Sequence, residues 1–121
     1  VVIKNGAYSE IPFYLSAADL GLSLRKSAPS LAGIAPIKLG EYFLCGLPVI
    51  ASSGVGDTEE MLKDKDFCFL MDSSDGELFT VRLQEWLGGL GKLDKGKIRD
   101  FGMEKFSLEK SVDSYLGVLN E

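Results

Sequence analysis

Lys38 and Glu41 stand three residues apart, just inside an expected helix over 36–45, which puts an ammonium and a carboxylate on one helical face. Pro36 suits the first helical position, and Ala35 before it has no side-chain oxygen to cap the amides that follow. Amide donors without acceptors at the positive end of a helix, with the Lys38 charge beside them, invite an anion such as a phosphate or diphosphate. Glu41, one turn deeper, offers the acceptor pair that suits the vicinal hydroxyls of a ribose. The same spacing is also that of a surface ion pair contributing roughly 0.2–0.5 kcal/mol, and spacing alone does not decide between the two. A second stretch, Ser53-Gly54-Val55-Gly56, is a flexible glycine turn expected at the end of a strand. It is not a dinucleotide fingerprint, because the third glycine of G-x-G-x-x-G would fall at Glu59.

What the chain lacks narrows the chemistry. It has no histidine, which removes Ser-His-Asp and Cys-His nucleophilic catalysis within these residues and the commonest zinc ligand. Its two cysteines, Cys45 and Cys68, are far apart and outside any metal-binding spacing, so they read as small buried hydrophobes, as in a cytoplasmic protein. A net charge of −5, with Lys and Arg scattered singly, argues against a nucleic-acid partner. No apolar run approaches the roughly 20 residues that span a bilayer. With 45% hydrophobic residues in 121, the chain has enough apolar surface for one core.

The elements that must carry these residues alternate in type. Val1 to Lys4 is β-rich and closed by Asn5-Gly6. Ile11, Tyr14, Leu15 and Ala18 have helical spacing, and Leu20 to Leu24 is a short strand ending at Arg25-Lys26. Residues 27–35 read as a loop, followed by the helix closed at Gly46 and a buried strand over 48–52. Asp57 and Glu60 have capping-box spacing for a short helix, and 67–71 is another strand. Leu78, Phe79, Leu83, Trp86 and Leu87 share one face of a helix over 77–87, where Trp86 and Phe79 are core residues. A helix over 95–105 comes next, and Ser107 caps a last one with Leu108, Val112, Tyr115, Leu116 and Leu119 in register. Short apolar strands alternating with amphipathic helices predict an α/β fold, a doubly wound, Rossmann-like parallel sheet of about four strands. Ligands in such a sheet bind outside the carboxyl ends of the strands, which points to the loops after Leu24, Ser52 and Met71.

The run from Pro36 to Ala51 resembles the P-x-K-x-x-E-Y…G-x-P-V-I-A signature in the donor domains of group 1 glycosyltransferases with the two-domain GT-B fold. The resemblance extends to Ile11–Leu24, to the Gly-x-x-Glu turn Gly56-Asp57-Thr58-Glu59, to Phe69-Leu70-Met71 and to Lys105-Phe106-Ser107, and so covers nearly the whole chain. It implies that residues 1–121 are the nucleotide-sugar-binding, C-terminal domain of a longer enzyme. The start on Val1-Val2-Ile3 fits an excised fragment lacking its first strands, inactive alone. It further implies that Glu41 binds the nucleotide ribose and that the Ile37 and Lys38 amides, with the Lys38 ammonium, hold the diphosphate. Gly54 and Gly56 belong to the glycine turn after Ser52 that shares nucleotide and diphosphate recognition, and Glu59 is either a solvated first-turn charge or approaches the sugar. Many relatives carry a second glutamate eight residues before the first; that position here is Gly33, where backbone amides rather than a carboxylate would face the ligand.

By the same resemblance the reaction moves a glycosyl group from a nucleoside diphosphate sugar to an acceptor hydroxyl, without a metal or other cofactor, in the cytoplasm. The acceptor belongs to an N-terminal domain of the same chain, which is also where any peripheral membrane contact would lie. The catalytic residues and the sugar are not named by the residues present. Two other readings stay open: a nucleotide-sugar epimerase of the same architecture, and a non-catalytic α/β interaction module in which Lys38 and Glu41 are ordinary surface charges.

Overall fold

In a parallel sheet, side chains in register point to the same face, so strand pairing dictates what each face must be covered by. A computed structural model describes the chain apart from Ser27, Ala35, Pro36, Ser73, Asp75, Glu121 and the side chain of Ala32. Among the described residues three strands pair, β1 (Gly21–Ser23), β2 (Val49–Ser52) and β3 (Cys68–Met71), all parallel and in the order β1-β2-β3. One face carries the rows Gly21–Val49–Cys68 and Ser23–Ala51–Leu70, and the other carries Leu22–Ile50–Phe69.

Helices α2 (Ile37–Leu44), α3 (Thr58–Leu62) and α5 (Lys95–Phe106) cover the first face. Leu39, Phe43, Leu62 and Ile98 close over Val49, Ala51 and Cys68 to form the core. The Phe43 ring meets Phe67 at 5.6 Å and Phe101 at 5.4 Å, both edge to face, which fixes α2 over the sheet. The second face is covered over β3 by α4 (Leu78–Gly88), through Phe69 against Phe79 at 5.9 Å and Trp86 at 5.7 Å. The Trp86 indole also donates to the Asp66 carbonyl at 2.8 Å, so both aromatics are structural, as their helical spacing predicts. Helices thus lie on both faces of a parallel sheet, a mixed α/β arrangement compatible with a Rossmann-like fold. Over β1 the second face is bare, and Leu22 is 53% exposed.

Several local expectations are corrected. Residues 1–4 form no strand: Val1, Val2 and Ile3 are exposed, because a strand needs a neighbour's backbone to bond and none runs along them. Asp57 does not cap α3. Its backbone, at φ −86° and ψ 6°, lacks the extended form that aims an N-cap side chain at the next amides. Residues 29–33 form a 3-10 turn where no periodicity was legible. Ser107 does cap α6 (Leu108–Leu119), accepting from the Lys110 amide at 3.3 Å, yet Leu108, Val112, Tyr115, Leu116 and Leu119 are exposed. No helix among the described residues is long and apolar enough to cross a membrane.

Candidate functional site

Two loops leave the carboxyl ends of adjacent strands, and three contacts bind them and the strand ends together. The Arg25 amide donates to the Ser52 hydroxyl at 2.8 Å, joining the end of β1 to the end of β2. The Gly56 amide donates to the Leu31 carbonyl at 3.0 Å, tying the glycine turn to the 3-10 turn, and the Ser53 amide donates to Met71 at 2.9 Å. Gly54 and Gly56 have φ of 71° and 52°, the left-handed region that side chains disfavour, so glycine is what lets this turn close. The Gly54 amide is held by the Glu59 carboxylate at 3.3 Å. The amides of 53, 54 and 56 therefore already have partners, and the exposed Glu59 closes the turn itself.

In front of β1, between its end and α2, lies an open crevice of about 560 Å³ walled by Leu22, Ser23, Leu24, Arg25, Ile34, Ile37 and Lys38. Its volume falls within the range of small-molecule sites. The structure brings Ile37 and Lys38, at the start of α2, to this wall, while Pro36 and Ala35 lie outside the described residues. A helix leaves its first amides without intrahelical acceptors, so the Ile37 and Lys38 N–H groups and the Lys38 ammonium concentrate positive charge at one end of the crevice. Arg25 adds a guanidinium, a group the sequence reading passed over although it stands two residues beyond the carboxyl end of a strand. The wall also carries exposed apolar side chains: Ile37 is 80% exposed, Leu24 51% and Leu22 53%.

Glu41 is half-buried on α2 and is not among the residues of the crevice wall. Its charge acts on the neighbouring Tyr42, whose phenol is raised above its ordinary range first by burial and then by Glu41. Tyr42 donates to the Leu22 carbonyl at 3.3 Å and so pins α2 to β1. Among the described residues the close ion pair is Lys105 with Glu104, and Lys38 and Glu41 do not form one. Gly33 is exposed, has no positive φ, and a methyl group there would meet nothing within 4 Å.

Behind the crevice, Ser23 and Arg25 also line a hollow too narrow for a water molecule, together with Leu39, Ala51, Ser52, Val55 and Thr58. Thr58, one of these lining residues, is only 1% exposed, and its hydroxyl has no hydrogen-bond partner. A buried hydroxyl left unpaired costs about 1–3 kcal/mol. Nothing in the residue pattern marked Thr58, since its burial follows from how α3 docks. Among the described residues no group of three or more Cys, Asp or Glu is placed to hold a metal ion. Cys68 is buried and its thiol is pushed up to about 12 by desolvation, so it is protonated and inert at neutral pH. Compared with protein-family models, with curated proteins and with solved structures, the chain matches none.

Proposed function

We propose that the crevice binds a nucleoside diphosphate sugar and that the chain is the donor-binding domain of a GT-B glycosyltransferase. The observation that carries this reading is the meeting of two cations, Arg25 and Lys38, with the start of α2 and an apolar wall in one open crevice at the end of β1. A nucleoside diphosphate has the matching parts, a dianionic or trianionic diphosphate and a flat base whose faces are apolar. The resemblance of Pro36–Ala51 to the donor-domain signature supports the same assignment; Glu41, to which that resemblance gives the ribose hydroxyls, stands on α2 outside the crevice wall.

In the reaction so assigned, the acceptor oxygen bonds to the anomeric carbon as the bond from that carbon to the diphosphate oxygen breaks, and the acceptor hydroxyl gives up its proton. Negative charge grows on the departing diphosphate. Fixed donors and cations that face this charge lower the barrier most, because they interact more strongly with the transition state than with the bound donor. Lys38 and the first amides of α2 fill that role as fixed donors. The acceptor and its base belong to another domain of such an enzyme. A non-catalytic interaction module has no specific observation in its favour.

The test is a titration of the 15N-labelled chain with UDP and with GDP. The expected shifts fall on the amides of residues 23–25, 37–41 and 53–57. An intact fold with no shifts at millimolar nucleotide, or with shifts confined to α4–α6, would refute the assignment.

A further inference from the structure

We infer that Arg25 and Thr58 form the seat of the distal phosphoryl group of the bound diphosphate, the one that carries the sugar. The inference rests on the reading of the crevice as a nucleoside diphosphate site and adds the two residues that the signature run does not contain. Three observations support it. Arg25 is anchored by its own backbone to Ser52, so its side chain springs from a fixed point between the ends of β1 and β2. It lines the open crevice on one side and the narrow hollow on the other, together with Ser23. Thr58, whose buried hydroxyl has no partner, is among the residues that line the hollow.

The start of α2 and Lys38 account for one phosphoryl group. A second, bonded to it, has to lie farther along the crevice, toward the strand ends where Arg25 stands. A guanidinium presents parallel N–H donors that match two phosphoryl oxygens, whereas an ammonium acts as a point charge. The chain as a whole carries −5, so a multiply charged anion is repelled except where cations are gathered. As it stands the hollow admits no water. With the Arg25 guanidinium on the phosphoryl group, the Thr58 hydroxyl donates to one of its oxygens. The unpaired donor is thus completed by the ligand.

The experiment measures affinities of the chain for UDP and UMP, with GDP and GMP in parallel, for wild type, Arg25→Gln and Thr58→Val. The valine variant keeps the threonine shape and removes the orphan hydroxyl, and melting temperature is recorded for each protein. Losing a charge-assisted bidentate contact weakens the diphosphate about tenfold or more in Arg25→Gln, and the monophosphate within twofold. Thr58→Val weakens the diphosphate severalfold and at the same time raises the melting temperature. A purely structural Thr58 would give the rise in melting temperature with diphosphate affinity unchanged, which overturns the inference. So does equal weakening of monophosphate and diphosphate, or a wild type that binds UMP as tightly as UDP; each of these leaves the crevice itself in place. Absence of all nucleotide binding by a folded wild type overturns the crevice reading and this inference together.

Discussion

Replacing Gly102 by alanine tests how the helix that carries Lys38 is held. Helix α5 crosses α2 so closely that a Cβ at Gly102 would lie 2.7 Å from the Leu44 nitrogen and from the Phe43 carbonyl carbon, and 3.0 Å from the Phe43 Cβ. Two of these atoms are backbone and cannot rotate away, so the helices must separate. Overpacking typically costs about 1–3 kcal/mol, with about 2–3 kcal/mol expected where the obstructing atoms are backbone, and the intrinsic gain of alanine over glycine in a helix offsets about 1 kcal/mol of it. The net expectation is a loss of about 1–2 kcal/mol, a fall in melting temperature of about 3–10 °C for a domain this size. Gly117→Ala makes the same chemical change in α6, where nothing lies within 4 Å of the added methyl, and leaves stability unchanged or raises it by up to about 1 kcal/mol. Urea and thermal unfolding followed by circular dichroism give both values. A Gly102→Ala protein as stable as wild type, or one whose loss is matched by Gly117→Ala, would refute the packing argument and with it the claim that α5 fixes the position of α2.

Two further outcomes follow from burial. Cys68, with its thiol raised to about 12, resists alkylation by iodoacetamide at pH 8 in the native chain and reacts only on unfolding; native labelling of Cys68 at the rate of a free thiol contradicts its burial. Tyr42 has a folded-state pKa raised above 10, so its neutral form contributes stability that is complete below pH 10 and is lost as pH rises from there through the folded value. Tyr42→Phe has no hydroxyl to titrate and removes that fall from the urea midpoints between pH 9 and 11, and identical slopes in the two proteins would show that the phenol is not desolvated.

Much of the fold was legible because it rests on local pattern. The helix over Ile37–Leu44 and the strands Val49–Ser52 and Cys68–Met71 follow from hydrophobic period and from Gly46, with its φ of 73°, closing the helix. Alternation of strands and helices was enough to expect a parallel sheet covered on both faces. The failures are of another kind. Val1–Lys4 has strand composition, but β pairing depends on what lies alongside, and composition carries no record of a neighbour. The stripe on α6 fixed its helical state and its register, yet it did not say what the stripe would pack against. The residues at the site divide in the same way. Lys38 was readable from its place one turn into a helix, whereas Arg25 and Thr58 meet only because two loops close on each other through Ser52 and Gly56, contacts 27 and 25 residues apart in sequence.

Departures from local rules collect in that same place, and their chemistry separates it from the other exposed surface. Along α6 the departure is apolar only, since Leu108, Tyr115 and Leu119 are 75–80% exposed with no buried polar group among them. At the crevice, an 80% exposed Ile37 shares the wall with two cations, and the hollow that adjoins it through Ser23 and Arg25 is lined by Thr58, whose hydroxyl is buried and unpaired. An apolar stripe is satisfied by any apolar surface. A buried donor without a partner is satisfied only by an acceptor that reaches it. Consistency between sequence and fold is the usual condition of a folded domain, so the places where it fails are where a function is to be sought. Here the polar failure and the apolar one lie side by side at the ends of β1 and β2, which is the reason the proposed nucleoside diphosphate site is sought there rather than along α6.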